Sequence, residues 1–184
     1  MGLRDRREQR QDERRAFGRG GTATRFQMRQ KLLAFGDDFW VEDENGERVF
    51  RVDGKALRLR NTLDLEDAQG TKLCRIQTRA LRVRDSMEIE DPDGDRLAMV
   101  HKALISPFRE RWKVDLPGGQ EWKVQGSIAD HEYDIEADGR KVAEISKKWF
   151  RARDTYGVQI LPDQNPALVL AVTVAVDSMA HPTK

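Results

Sequence analysis

The amino-acid sequence predicts a mostly-β fold, an antiparallel meander of short strands that gains by closing into a barrel around one buried apolar segment. Three observations predict it. A turn motif recurs at a fixed period, the stretches between turns alternate apolar and polar residues, and one uncharged run stands out from a highly charged chain.

With 184 residues the chain suits one domain plus a tail, long enough to bury a sizeable core. Charged residues make up 35% of it, but 33 basic against 32 acidic residues leave a net charge of +1, so the bulk balance names no partner. Such dense mixed charge suits antiparallel strands, each with one wet face. The single cysteine, Cys74, excludes an intramolecular disulfide framework and fits a reducing compartment. Met1–Arg6 carries no apolar stretch of the secretory kind, and Arg6 stands where a myristoylation signal wants Ser or Thr. The expected location is the cytoplasm.

Residues 1–25 read as a disordered, Arg-rich N-terminal tail. They hold eight Arg, no Lys and four acids, with Leu3 and Phe17 as their only large apolar residues. So little apolar surface does not offset the entropy of ordering. Gly18-Arg-Gly-Gly21 reads as a flexible joint. The local positive charge can attract phosphate or anionic lipid, but a solvated tail or a transient charged helix is the favoured reading.

From residue 26 a repeat begins. Val41-Glu-Asp-Glu-Asn-Gly46 recurs as Leu65-Glu-Asp-Ala-Gln-Gly70 and as Ile89-Glu-Asp-Pro-Asp-Gly94, with the glycines 24 residues apart. Val114-Asp-Leu-Pro-Gly-Gly119 is a looser copy, and Ile135-Glu-Ala-Asp-Gly139 ends the series. Asp or Asn followed by Gly favours a tight hairpin turn. Between turns, Leu57, Leu59, Leu63 and Leu65 alternate with polar residues, as do Leu81, Val83, Met87 and Ile89. That is the period of half-buried strands. Five copies with an opening and a closing strand give on the order of ten to twelve strands, and closing the meander removes its exposed edges.

The uncharged run is Pro166–Val176, in which Thr173 carries the only polar side chain. Ten helical residues span about 15 Å, roughly half a bilayer's hydrocarbon core, so the run is expected inside the protein. Periodicity leaves its conformation open. Leu168, Leu170, Val172, Val174 and Val176 alternate as in a buried strand, while Asn165-Pro166 is a good helix start.

Met28-Arg-Gln-Lys-Leu-Leu33, Gly36-Asp-Asp-Phe39, the first turn motif and Gly54-Lys-Ala-Leu57 together resemble the opening of the LURP-one-related family. Arg79-Ala-Leu81, Lys102-Ala-Leu104 and Lys147-Lys-Trp149 resemble its recurring strand starts, and Leu168–Asp177 resembles its closing apolar segment. The resemblance covers residues 26–178. It implies the tubby C-terminal fold shared with phospholipid scramblases, a closed barrel of about twelve antiparallel strands around a central hydrophobic helix. On that basis residues 26–184 form the barrel domain, with the helix at about 166–177. The resemblance fixes no binding residue.

No catalytic signature accompanies this. Asp91-Pro-Asp-Gly-Asp95 has alternating carboxylates, but Gly94 and Lys102 stand where a calcium loop needs other residues, so a hairpin turn is expected. Cys74 has no assignable His partner and reads as a buried structural thiol. His101, His131 and His181 show no metal-ligand spacing, so neither metal nor cofactor is expected. The candidate site is basic and aromatic: Lys102, Arg109, Arg111, Trp112, Lys147, Lys148, Arg151 and Arg153. On a strand, Trp149, Arg151 and Arg153 would share one face. Cations beside rings suit anionic headgroups, with Trp at headgroup level, and also suit stacking on nucleic acid, the weaker reading.

The expected function is therefore a non-enzymatic module binding anionic phospholipid or phosphoinositide, cytoplasmic and peripheral at the membrane. The alternatives are a protein-interaction scaffold or homo-oligomer and, last, phospholipid scrambling by analogy of fold alone.

Overall fold

The computed structural model describes residues 3–17, 20–29, 38–54, 62–81, 84–103, 110–149 and 155–181. Twelve antiparallel strands form a closed barrel in which each strand pairs with its neighbours in sequence. They are β1 (Thr24–Arg29), β2 (Phe39–Asp43), β3 (Arg48–Asp53), β4 (Thr62–Asp67), β5 (Lys72–Leu81) and β6 (Arg84–Glu90). The others are β7 (Arg96–Lys102), β8 (Glu110–Asp115), β9 (Glu121–Ser127), β10 (Glu132–Ala137), β11 (Arg140–Ser146) and β12 (Thr155–Ile160). Closure comes from β1, which pairs along its length with β12, Thr24 opposite Ile160, and more briefly with β2.

The repeat is reproduced atom by atom in its turns. Asp43, Asp67 and Asp91 each accept backbone N–H groups two and four residues on: Asn45 and Glu47, Gln69 and Thr71, Asp93 and Asp95, all at 2.8–3.0 Å. The glycine of each turn has φ between 80° and 93°, a region that favours Gly. A register shift precedes each turn, at Val41/Glu42, Leu65/Glu66 and Ile89/Glu90. The acidic loop at Asp91 is thus a hairpin turn whose first carboxylate is spent on its own backbone. Of the alternating residues, Leu63, Leu65, Met87 and Ile89 point into the core, whereas Leu57, Leu59 and Val83 lie outside the described residues.

The uncharged run is a helix, α2 (Pro166–Ala180), buried continuously from Val169 to Asp177. Asn165 caps it, its side chain accepting from the N–H groups of Ala167 (3.0 Å) and Leu168 (3.3 Å). Thr173 is satisfied within the helix, donating to Val169 O at 2.9 Å. The helix runs three residues beyond the expected end at 177, up to His181 and the proline that follows it. Its N-terminus sits at the barrel end carrying the Asp-Gly turns, its C-terminus at the opposite end. No described helix is long and apolar enough to cross a membrane.

Two expectations need correction. The N-terminal segment contains a helix, α1 (Leu3–Ala16), where disorder was expected. Arg, Gln and Glu are good helix formers, and polar bonds supply the docking that apolar content could not. Gln9 Nε2 donates to Gly139 O at 2.7 Å, and Glu13 accepts from Lys141 N at 3.3 Å. Phe17 then packs with Ala23 and Leu161 in a small second core. Gly21 is required there, because a Cβ would lie 2.1 Å from Ala16 O. Second, Lys147–Trp149 is a 3-10 turn and not a strand. Glu132 draws the chain off the ladder, accepting from Ser146 Oγ and Lys147 N, each at 3.0 Å.

Candidate functional site

Most cations on the barrel wall are neutralised by carboxylates on neighbouring strands. Arg51 meets Glu66 at 2.6 Å, Asp64 takes Lys72 at 2.6 Å and Arg75 at 3.0 Å, and Arg79 binds Glu88 and Glu90. Lys141 joins Asp134 (3.0 Å) to Glu144 (2.9 Å).

This pairing breaks down on the outer face of β8 and β9. Lys113 stands directly opposite Lys123, and Arg111 opposite Gln125. Like charges directly across a ladder are unfavourable. Glu121 compensates Lys113 at 2.6 Å, but Arg111 and Lys123 are exposed and make no ion pair among the described residues. These cations and Gln125 line a groove of about 320 Å³.

The residues nominated from sequence divide around this groove. Arg111 lines it. Lys102 lies on the adjoining strand, exposed, with its Nζ 5.7 Å from the Trp112 ring centroid. Trp112 itself is 3% exposed and belongs to the core, so it does not reach a headgroup as expected. It faces inward because its strand alternates with Val114 on the same side. Lys147 and Lys148 sit on the 3-10 turn, three strands away, and Lys148 is paired with Glu132 at 3.1 Å. Arg109, Arg151 and Arg153 lie outside the described residues. Lys113 and Lys123 were missed, since only the pairing of β8 with β9 brings them together.

A second constellation lies where the C-terminus of α2 meets the β9–β10 turn. His131 Nε2 donates to Asp177 Oδ1 at 2.7 Å, and His181 Nδ1 lies 3.2 Å from the same oxygen. His131 and Asp177 are buried, while His181 keeps 43% of its side chain exposed. The His131 ring packs 4.4 Å from Tyr156 and stacks at 5.2 Å on His181. Burial pushes the Asp177 carboxyl up, but the hydrogen bonds from His131 and His181 outweigh it and hold the group below its ordinary value. His131 Nδ1 and Tyr156 Oη are buried without a hydrogen-bond partner. Asp177 and His181 stand four residues apart at the end of the helix, but His131 lies 46 and 50 residues before them, and only the fold brings it to the pair.

Cys74 is buried on β5 with its thiol pushed up to about 12, by burial first and then by Asp64. It is a structural thiol, as its sequence context suggested.

The sequence profile of the LURP-one-related family matches residues 24–177, nearly the whole barrel and its helix. The chain belongs to the LURP-one-related family. It is 24% identical over 155 residues to YxjI, an uncharacterized protein of Bacillus subtilis (strain 168), covering 84% of this chain and 92% of that one. The X-ray structure of an Arabidopsis thaliana protein superposes with a TM-score of 0.66 at 18% identity, over 86% of this chain and 92% of the other. That likeness bears on fold alone. Among the described residues of this LURP-one-related barrel, the two clusters above are places where polar groups are left with unused binding capacity.

Proposed function

We propose that this LURP-one-related chain is a non-enzymatic binding module that docks peripherally, from the cytoplasm, on membranes rich in anionic phospholipid. The observation that carries the reading is the opposed pair Lys113–Lys123 with Arg111 beside it, in a wall where many cations, among them Arg51, Lys72, Arg75, Arg79 and Lys141, are paired with carboxylates. A phosphate-bearing headgroup in that groove would relieve the repulsion. Lys102, paired across the ladder with the inward-facing Trp112, is not part of that outer face. The contact at this groove is electrostatic, because Trp112 is in the core and does not reach the headgroup layer.

Co-sedimentation of the full chain with neutral and with anionic vesicles tests this. Each basic residue near an anionic surface contributes about 1 kcal/mol. The double variant R111Q/K123Q should therefore lose about 2 kcal/mol, a roughly 30-fold drop in partitioning at low salt. Equal recovery on both vesicle types, or an unchanged variant, would refute the proposal.

A further inference from the structure

We propose that His131, Asp177 and His181 form a binding site for a divalent transition-metal ion of the zinc class, clamping the C-terminus of α2 to the β9–β10 turn. The three offer one ligand atom each, and these atoms all lie within 4.8 Å of one another. Zinc bonds of about 2.0–2.1 Å place tetrahedral ligands about 3.3 Å apart, so the separations of 2.7 Å and 3.2 Å need only small adjustment. Two imidazoles with one carboxylate are a donor set that suits zinc and its neighbours, whereas calcium and magnesium want oxygen throughout.

Independent observations point the same way. His131 holds φ = 53° at the end of the turn Ile128–His131, a conformation that non-glycine residues seldom adopt. It does so fully buried, aimed at the helix end. Backbone strain of this kind gathers at functional sites. Asp177 is a buried acid in the last turn of α2, at the negative end of the helix dipole, where its charge is least favourable and a cation most welcome. His131 Nδ1 is buried with no hydrogen-bond partner, which leaves it able to carry the ring proton when Nε2 takes the ion.

The exposed edge of His181 gives the ion a way in. Binding requires the His181 ring to tilt out of its 4° stack on His131, which its position at the solvent boundary permits. The ion replaces the His131–Asp177 hydrogen bond, the ring proton passing from Nε2 to Nδ1 so that Nε2 can ligate, and leaves a fourth position for water. This site is separate from the cationic groove, so its test does not depend on lipid binding.

The full chain, stripped with chelator, is titrated with Zn²⁺ by calorimetry and with Co²⁺ by visible absorption. One equivalent of Zn²⁺ should bind and raise the melting temperature, and Co²⁺ should give the intense bands of a tetrahedral site. His181 is at the surface, so H181A should fold while binding at least about 100-fold more weakly, beyond what loss of an outer-shell contact produces. H101A, which removes an imidazole elsewhere, should bind as the parent does. D177N serves as a second ligand variant, with its fold checked by circular dichroism. Absence of saturable binding, or H181A binding like the parent, overturns the proposal, as does loss of binding in H101A.

Discussion

Leu170 is fully buried on α2, the face of the molecule that every strand of the barrel encloses. Replacing it with Ala removes three carbons, worth about 2.4 kcal/mol in transfer free energy at ~0.8 per methylene. A cavity adds to that where the surroundings do not collapse. Here collapse is resisted, because the barrel's circumference is set by twelve strands hydrogen-bonded in a ring. The expected cost is therefore about 4 kcal/mol, towards the upper part of the range for such changes. For a chain of this size that lowers the melting temperature by about 8–16 °C. Differential scanning calorimetry reads the shift, and urea titration should show a lower midpoint with an unchanged slope. Leu168, half-buried nearer the barrel mouth, is the internal comparison, and its Ala variant should lose clearly less. A Leu170→Ala loss below about 1 kcal/mol would refute the central, tightly packed placement of the helix.

Other predictions concern the turns and the thiol. The Asp67 carboxyl is held below its ordinary 3.8 chiefly by the Thr71 N–H, so its stabilising contribution is present above that value and lost as pH falls through the depressed one. D67N, which keeps an acceptor oxygen but does not titrate there, should flatten the stability-versus-pH curve below pH 3.8; an unchanged acid slope would show that the turn does not matter. Cys74, with its thiol pushed up to about 12, should resist iodoacetamide in the native protein and react once urea unfolds it. Rapid alkylation without denaturant would contradict its burial.

Much of the barrel was legible because its information is local. The recurring Asp and Gly of the turns act within five residues of each other, and Leu63, Leu65, Met87 and Ile89 declare their inward face by alternation alone. The candidate sites were legible only in part. Arg111 and Lys102 could be picked out as basic residues beside Trp112, but whether Trp112 faced lipid or core depended on the phase of β8, which the sequence near 104–109 did not settle. Lys147 and Lys148 looked equivalent to Arg111 until Glu132, from another strand, claimed the backbone of one and the side chain of the other.

By itself the sequence determined the periodic strands, the positions of the hairpins and the presence of one all-apolar segment with a helix-starting Asn-Pro. Short-range sterics, turn hydrogen bonding and burial preference suffice for those. Only the tertiary structure decided which charges are paired. It set Lys113 across from Lys123, docked α1 through Gln9 and Glu13, and carried His131 to Asp177 and His181. Those outcomes depend on strand register and barrel closure, which join residues far apart in the chain, and no local preference records such a meeting.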